Sequence, residues 1–305
     1  MTRIGYVGLG AMGGGMARNL LRKGCDLTVF DMRSNVVDDF VSLGARAAGS
    51  AADLAAQVEI VFTSLPGAAE VREVYLGEDG IVAALSQGSL AVDMSTIPPA
   101  VSQEVAAAAR QAGSSFLDAP VARTKQAAAD GTLAIMVGGS DEDFERARPV
   151  LELMGTSISH VGPVGSGEIA KLVNNAVLMA NILAVSEGLM LGRLLGVDTA
   201  TLARVLTEGS ADSFALRNHV IGSVLPNVFG EGRFPLLYAI KDIDYFTRAA
   251  QSVDLVSPQL TQMAEFYNSA LGKGLDHEYF PIAVTVLDEM NNSSIVGSDK
   301  RSDNL

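Results

Sequence analysis

Cysteine occurs once, at Cys25, among 305 residues. That excludes an intrachain disulfide framework and a cysteine-based metal site, and it fits a reducing compartment, the cytoplasm. Histidine is nearly as scarce: His160, His219 and His277 form no ligand-spaced cluster, so no metal is expected. Basic residues are outnumbered, 22 Lys and Arg against 35 Asp and Glu, for a net charge of −13. A surface of that sign disfavours nucleic acid and anionic membrane as partners, while a local basic pocket for a small anion remains compatible with it. The N-terminus lacks a charged-then-apolar leader and enters a strand at once, so export is not expected. The most apolar stretch, Ala176 to Gly196, is interrupted by Asn181, Ser186, Glu187 and Arg193, and reads as a buried core helix instead of a bilayer span.

Apolar residues are plentiful. At 48% hydrophobic, the chain has material for a large core, and its length suggests two domains. Arg3 to Gly8 is a short β-rich run, followed by Gly8-Leu-Gly10-Ala11-Met12-Gly13, a helical pattern from Met16 to Arg22, and a strand from Asp26 to Phe30 that ends in Asp31. Strand, glycine turn, helix and strand form the context that a dinucleotide-binding turn requires. Gly8 permits the tight turn, Gly10 lets the backbone approach a pyrophosphate, and Gly13 lets the helix pack on the strand, while the helix N-terminus offers amides to phosphate. Gly8, Gly10, Ala11, Met12 and Gly13 are therefore cofactor-binding candidates. Asp31 is placed to accept the adenosine ribose hydroxyls and repel a 2′-phosphate, which favours NAD over NADP. Arg33 could hold a 2′-phosphate if Asp31 turned away.

Strands and helices continue to alternate through Glu59 to Ser64, Ser89 to Asp93, Ser115 to Asp118, Gly131 to Gly139 and Ser157 to Val161. In a doubly wound parallel sheet the loops at the strands' carboxyl ends line the ligand crevice. Leu65, Pro66 and Thr96 are assigned there to the cofactor and Ser95 to the substrate. Gly162-Pro-Val-Gly165 marks a boundary near residue 164. Beyond it the pattern is helical, including a single helix from Tyr279 to Met290, and residues 293–305 form a polar tail expected to fray. The expected architecture is a Rossmann-type α/β domain over 1–164, then an all-α domain over 165–292, joined by a long interdomain helix.

That helix opens at Gly165-Ser-Gly-Glu-Ile-Ala-Lys171-Leu-Val-Asn174-Asn175. Lys171, Asn174 and Asn175 stand at i, i+3 and i+4, hence on one face. From Glu168 to Leu195 it would run roughly 42 Å at about 1.5 Å per residue. A lysine beside two carboxamides on an apolar helix either snorkels to water or meets a ligand. With one apolar face left over, the helix is expected to pack on another copy, in a homodimer or homotetramer.

With these segments placed, the chain resembles the β-hydroxyacid dehydrogenase family, which includes 3-hydroxyisobutyrate dehydrogenase and tartronate semialdehyde reductase. The shared motifs are Gly8-Leu-Gly-Ala-Met-Gly13, Asp118-Ala-Pro-Val121, Gly131-Thr-Leu133, Gly165-Ser-Gly167 with Lys171-Leu-Val-Asn-Asn175, and Lys241-Asp242. The resemblance implies Lys171 as proton donor or acceptor, Asn175 as the residue orienting substrate, and Lys241 near the nicotinamide. A lysine ammonium suits that chemistry, since hydride transfer at a carbinol carbon needs a proton partner on oxygen. Where most members continue with Ser-Gly-Gly, this chain has Ala122-Arg123-Thr124. An arginine fork can grip an oxyanion bidentately, and the Arg-Thr pair is similar to the sulfolactaldehyde reductase branch, although that branch has a serine where this chain has Leu178. Arg123 and Thr124, with Ser95, Asn174 and Asn175, are the expected ligands of a small anionic substrate. The bland alternative for Arg123 is solvent or a pair with Asp130. Two other functions compete, reduction of C=N bonds and a non-catalytic NAD-binding scaffold; relatives of both kinds usually lack the lysine.

Overall fold

The computed structural model describes residues 2–230 and 233–295. The chain divides into two compact units, Met1–Leu172 and Val173–Leu305.

The first unit is built on one sheet of nine strands: β1 (Arg3–Val7), β2 (Asp26–Phe30), β3 (Arg46–Ala47), β4 (Ile60–Thr63), β5 (Leu90–Asp93), β6 (Ser115–Asp118), β7 (Val121–Ala122), β8 (Leu133–Gly138) and β9 (Gly155–Gly162). Its order begins β3-β2-β1-β4-β5-β6, all parallel. The winding reverses between β1 and β4, the position at which ligands bind in open α/β sheets. Successive side chains of each strand enter opposite layers: Ile4, Tyr6, Ile60, Phe62, Leu90 and Val92 in one, Val7, Val61, Ala91 and Phe116 in the other. Burial on both faces explains why these strands read as continuous apolar runs. Past β6 the sheet departs from the all-parallel expectation. There β8 runs antiparallel to both β6 and the two-residue β7, and β9 then pairs parallel to β8.

Among the described residues this unit carries the helices α1 (Gly13–Arg22), α2 (Ser34–Ser42), α3 (Ala51–Gln57), α4 (Ala68–Leu76), α5 (Ile81–Ala84), α6 (Pro99–Gln111), α7 (Lys125–Asp130) and α8 (Asp141–Leu151). The long α9 (Ser166–Leu194) begins in the first unit and continues into the second. The division falls eight residues beyond the expected boundary at 164 because the first turns of α9 are bound to β6, as described below.

In the second unit, α9 is followed by α10 (Thr199–Glu208), a π-helical segment over Ala215–Val224, α11 (Leu236–Gln251), α12 (Pro258–Ser269) and α13 (Thr285–Met290). The single helix expected from Tyr279 is a 3-10 segment over Phe280–Val284 that passes into α13, with Pro281 in its first turn. α9 is long and apolar enough to cross a membrane by length and composition. It nevertheless carries Glu168, Lys171, Glu187 and Arg193, and its Ala176, Met179, Ile182, Leu189 and Met190 close the second unit's core. The start of the polar tail does not fray: Ile295 is buried, its amide donates to Asp288, and its carbonyl accepts from Thr199. Residues 296–305 lie outside the described residues.

Candidate active site

The glycine turn after β1 has the geometry its spacing implies. Gly8 has φ +88°, and a Cβ there would lie 2.3 Å from the Ser64 carbonyl oxygen, so this turn sits tight against the end of β4. At Gly13 a Cβ would fall 2.0 Å from the Gly8 carbonyl oxygen. Gly10 is the opposite case, with no atom within 4 Å of a Cβ built on it. The turn is closed on the protein side and open on the other, and no side chain caps α1. Such a surface accepts a pyrophosphate against bare backbone and first-turn amides, so the residues present fit a dinucleotide.

Asp31 does not turn away. Its Oδ2 accepts the Leu9 amide at 2.8 Å and Arg33 Nη2 at 3.0 Å, and its Oδ1 accepts the Arg33 amide and Nε, both at 2.9 Å. Burial alone would raise its pKa; the bonds from Arg33 and Leu9 outweigh that and hold the carboxyl below its ordinary range. The four acceptor positions of a carboxylate are thereby filled. To reach Asp31 a ribose hydroxyl would have to displace Arg33, whose side chain is 56% exposed.

At the ends of β4 and β5 the polar groups form one network. Asp93 Oδ1 accepts from Ser95 Oγ at 2.5 Å and from Thr63 Oγ1 at 2.6 Å, while Ser95 Oγ accepts the Leu65 amide at 2.9 Å. Burial pushes the Asp93 carboxyl up to about 6, against the lowering effect of the Ser95 and Thr63 bonds. Ser95 reads in sequence as a substrate residue, and its surroundings show what else it does. Its hydroxyl proton is committed to Asp93 and the residue is buried, so Ser95 ties together the two strand-end loops that carry Leu65, Pro66 and Thr96.

The start of α9 is seated on β6. The buried Asp118 accepts the Gly165 amide at 2.7 Å through Oδ1 and the Glu168 amide at 2.9 Å through Oδ2. Gly165 takes φ +94°, and a Cβ on Gly167 would stand 2.4 Å from the Met136 carbonyl oxygen. Buried Glu168 accepts the Ile97 amide at 3.1 Å, joining the helix to the loop after β5. Carboxylates at a helix N-terminus interact favourably with its unpaired amides and its dipole. Half-buried Lys171 follows Glu168 by three residues.

Arg123 and Thr124, read as substrate ligands, are exposed and each makes contacts within the chain. Arg123 has φ +86° and donates through Nη1 to the Thr132 carbonyl at 2.5 Å and to Thr156 Oγ1 at 3.2 Å. Neither bulk solvent alone nor Asp130 receives it; Asp130 accepts from Gln126. Thr124 is the N-cap of α7, its hydroxyl accepting the Ala127 amide at 3.2 Å. Thr124 caps the helix that follows it, a local relation, whereas Arg123 reaches Thr132 and Thr156, nine and 33 residues away, which local spacing does not reveal.

In the second unit, exposed Asn174 donates through Nδ2 to Asn175 Oδ1 at 3.0 Å, and buried Asn175 donates through Nδ2 to Asp242 Oδ2 at 2.7 Å. Lys241 Nζ lies 3.2 Å from Asp242 Oδ1 and 5.1 Å from the Tyr245 ring centre. Asp242 was not among the expected site residues, although the Lys-Asp pair was visible as a motif. His219 packs in the second unit: its Nδ1 lies 2.5 Å from the Tyr279 hydroxyl, and burial, with Arg233 nearby, pushes its pKa down to about 4.

Comparison with known proteins agrees along the chain's length. Residues 3–162 match the profile of the NAD binding domain of 6-phosphogluconate dehydrogenase, and residues 165–287 match the profile described as NAD-binding of NADP-dependent 3-hydroxyisobutyrate dehydrogenase. The chain is 35% identical over 293 residues to an NAD-dependent L-serine dehydrogenase of Pseudomonas aeruginosa, spanning 94% of this chain and 98% of that one. It is 39% identical over 263 residues to a 3-hydroxyisobutyrate dehydrogenase of the same organism, spanning 85% and 88%. The solved structure of Mycobacterium tuberculosis 3-hydroxyisobutyrate dehydrogenase with L-serine matches with a TM-score of 0.86 at 32% identity, covering 94% of this chain and 99% of that one.

Proposed function

The chain belongs to the β-hydroxyacid dehydrogenase family and is an NAD-dependent oxidoreductase acting on a CH-OH group, and from that premise we propose that it interconverts a small anionic 3-hydroxy acid and its semialdehyde, with Lys171 as the proton donor and acceptor. One observation carries this reading. The parallel strands bring Gly8, Asp31, Leu65 and Asp118 to the carboxyl edge of one sheet, and Asp118 docks on that edge the helix that bears Lys171.

Bound nicotinamide supplies the hydride for reduction and takes it up in oxidation. In the reductive direction the Lys171 ammonium donates its proton to the developing alkoxide and stabilises its charge; in oxidation the neutral amine takes the proton from the hydroxyl. Asn175, one helical turn further along α9, orients the reacting oxygen, with Asn174 beside it. Gly8, Gly10, Ala11, Met12 and Gly13 cradle the pyrophosphate, Asp31 the ribose, and Leu65, Pro66, Thr96 and Lys241 complete the cofactor contacts. The protein acts as a homodimer or homotetramer in the cytoplasm.

The sulfonate-reading branch rested on an Arg123 fork facing the anion. With that guanidinium bonded to Thr132 and Thr156, a carboxylate substrate of the 3-hydroxyisobutyrate or L-serine type comes first, and sulfolactaldehyde second. The test is a panel: NAD reduction with 3-hydroxyisobutyrate and L-serine, and NADH oxidation with methylmalonate semialdehyde, tartronate semialdehyde, succinic semialdehyde, sulfolactaldehyde and cyclic imines. A carboxylate 3-hydroxy acid or its semialdehyde should give the highest kcat/KM. Preference for a cyclic imine, or no turnover with any member, contradicts the proposal.

A further inference from the structure

We infer that Asp242 is a positioning residue: its buried carboxylate locks the Asn175 carboxamide in one orientation, so that Asn175 meets the substrate as a hydrogen-bond donor. This rests on the reading above that Asn175 contacts the reacting molecule. Asp242 is 2% exposed on α11 and takes the Asn175 amide nitrogen at 2.7 Å. Its other oxygen faces the Lys241 ammonium at 3.2 Å, which supplies the opposite charge that a buried carboxylate requires.

A carboxylate only accepts hydrogen bonds, so Asn175 must turn its NH2 towards Asp242. The Asn175 oxygen is claimed in turn by Asn174 Nδ2 at 3.0 Å. Rotating the amide by half a turn would set its carbonyl against the carboxylate and its NH2 against the NH2 of Asn174. Both contacts would be lost together. With one N–H given to Asp242 and the amide orientation fixed, the donor that Asn175 retains for a ligand is its second N–H. A donor there favours an anionic or developing alkoxide oxygen over a neutral N–H group of a substrate.

The test uses full-length Asn175→Ala, Asp242→Ala, the double alanine variant, and the exchange Asn175→Asp with Asp242→Asn, each measured for kcat, KM, NADH affinity and melting temperature. Asp242→Ala should lower kcat/KM about tenfold or more with NADH affinity unchanged, and should add little to Asn175→Ala, because both remove one interaction. In the exchange variant the hydrogen bond is re-formed with donor and acceptor reversed. Its melting temperature should return to that of the unaltered protein while turnover stays low, since a carboxylate now faces the substrate. A role confined to structure would restore turnover together with stability. Recovery of turnover in the exchange variant, its failure to regain the melting temperature, or fully additive alanine effects would overturn the inference. Normal turnover by Asn175→Ala would instead remove the premise, whereas a weak Asn175→Ala beside a normal Asp242→Ala would sink the role of Asp242 alone.

Discussion

Asp93 and His219 give folding opposite pH dependences. The Asp93 carboxyl rises from the usual 3.8 to about 6 through burial, so between those values the folded chain holds a proton that the unfolded chain has released. Stability from this group therefore falls as pH rises across that window, by roughly 3 kcal/mol at about 1.4 kcal/mol per pK unit. Asp93→Asn, which keeps an acceptor for Thr63 and Ser95, should match the unaltered protein near pH 4 and exceed it in urea unfolding at pH 7. For His219 the sign reverses. Its pKa falls from 6.5 to about 4 through burial and the charge of Arg233, so its contribution is complete above 6.5 and is lost as pH falls towards 4. His219→Gln should flatten that part of the acid limb of an unfolding titration. Of the individual residues, Gly8, Gly10 and Gly13 were legible in the sequence because the turn dictates each glycine's surroundings locally. The bonds that Ser95 and Arg123 make within the chain were not, since residue type and loop position do not disclose which groups are already engaged.

The clearest element is α9, whose first turn is fixed by hydrogen bonds to β6 and whose later turns pack into the second unit's core. Gly167→Ala would drive a methyl to 2.4 Å from the Met136 carbonyl and 2.9 Å from Asp118. Overpacking of this kind costs about 1–3 kcal/mol, and calorimetry should show a lowered melting temperature together with reduced turnover as Lys171 shifts. Gly188→Ala in the same helix meets no atom within 4 Å. It should leave turnover unchanged and add up to about 1 kcal/mol from helix propensity. Long periodic elements such as α9 and the parallel strands were readable from apolar spacing. The six-residue α7 and the two-residue β7 were not, because neither spans enough residues to show a period, and the reversal of β8 was not, because apolar spacing does not report a strand's direction. The π-helical segment over Ala215–Val224 reads in sequence as an ordinary helix, since one extra residue per turn barely alters so short a pattern.

For the molecule as a whole, two units and their order followed from the sequence, whereas the seat of α9 on Asp118 depends on residues 47 and 50 positions apart. Ile169, Val173 and Val177 near the start of α9, and Leu191 near its end with Leu195 just beyond, are exposed at helical spacing. An apolar stripe of that length favours self-association. Light scattering should return a multiple of 31.8 kDa, and Leu191→Glu with Leu195→Glu should reduce it.

Lys171→Ala, assayed for kcat with saturating NADH and the best semialdehyde alongside a direct titration of NADH binding, tests the central claim most directly. Loss of the proton donor should lower kcat by about a hundredfold or more while NADH affinity holds steady. Turnover close to that of the unaltered enzyme, with the cofactor bound equally well, would contradict it.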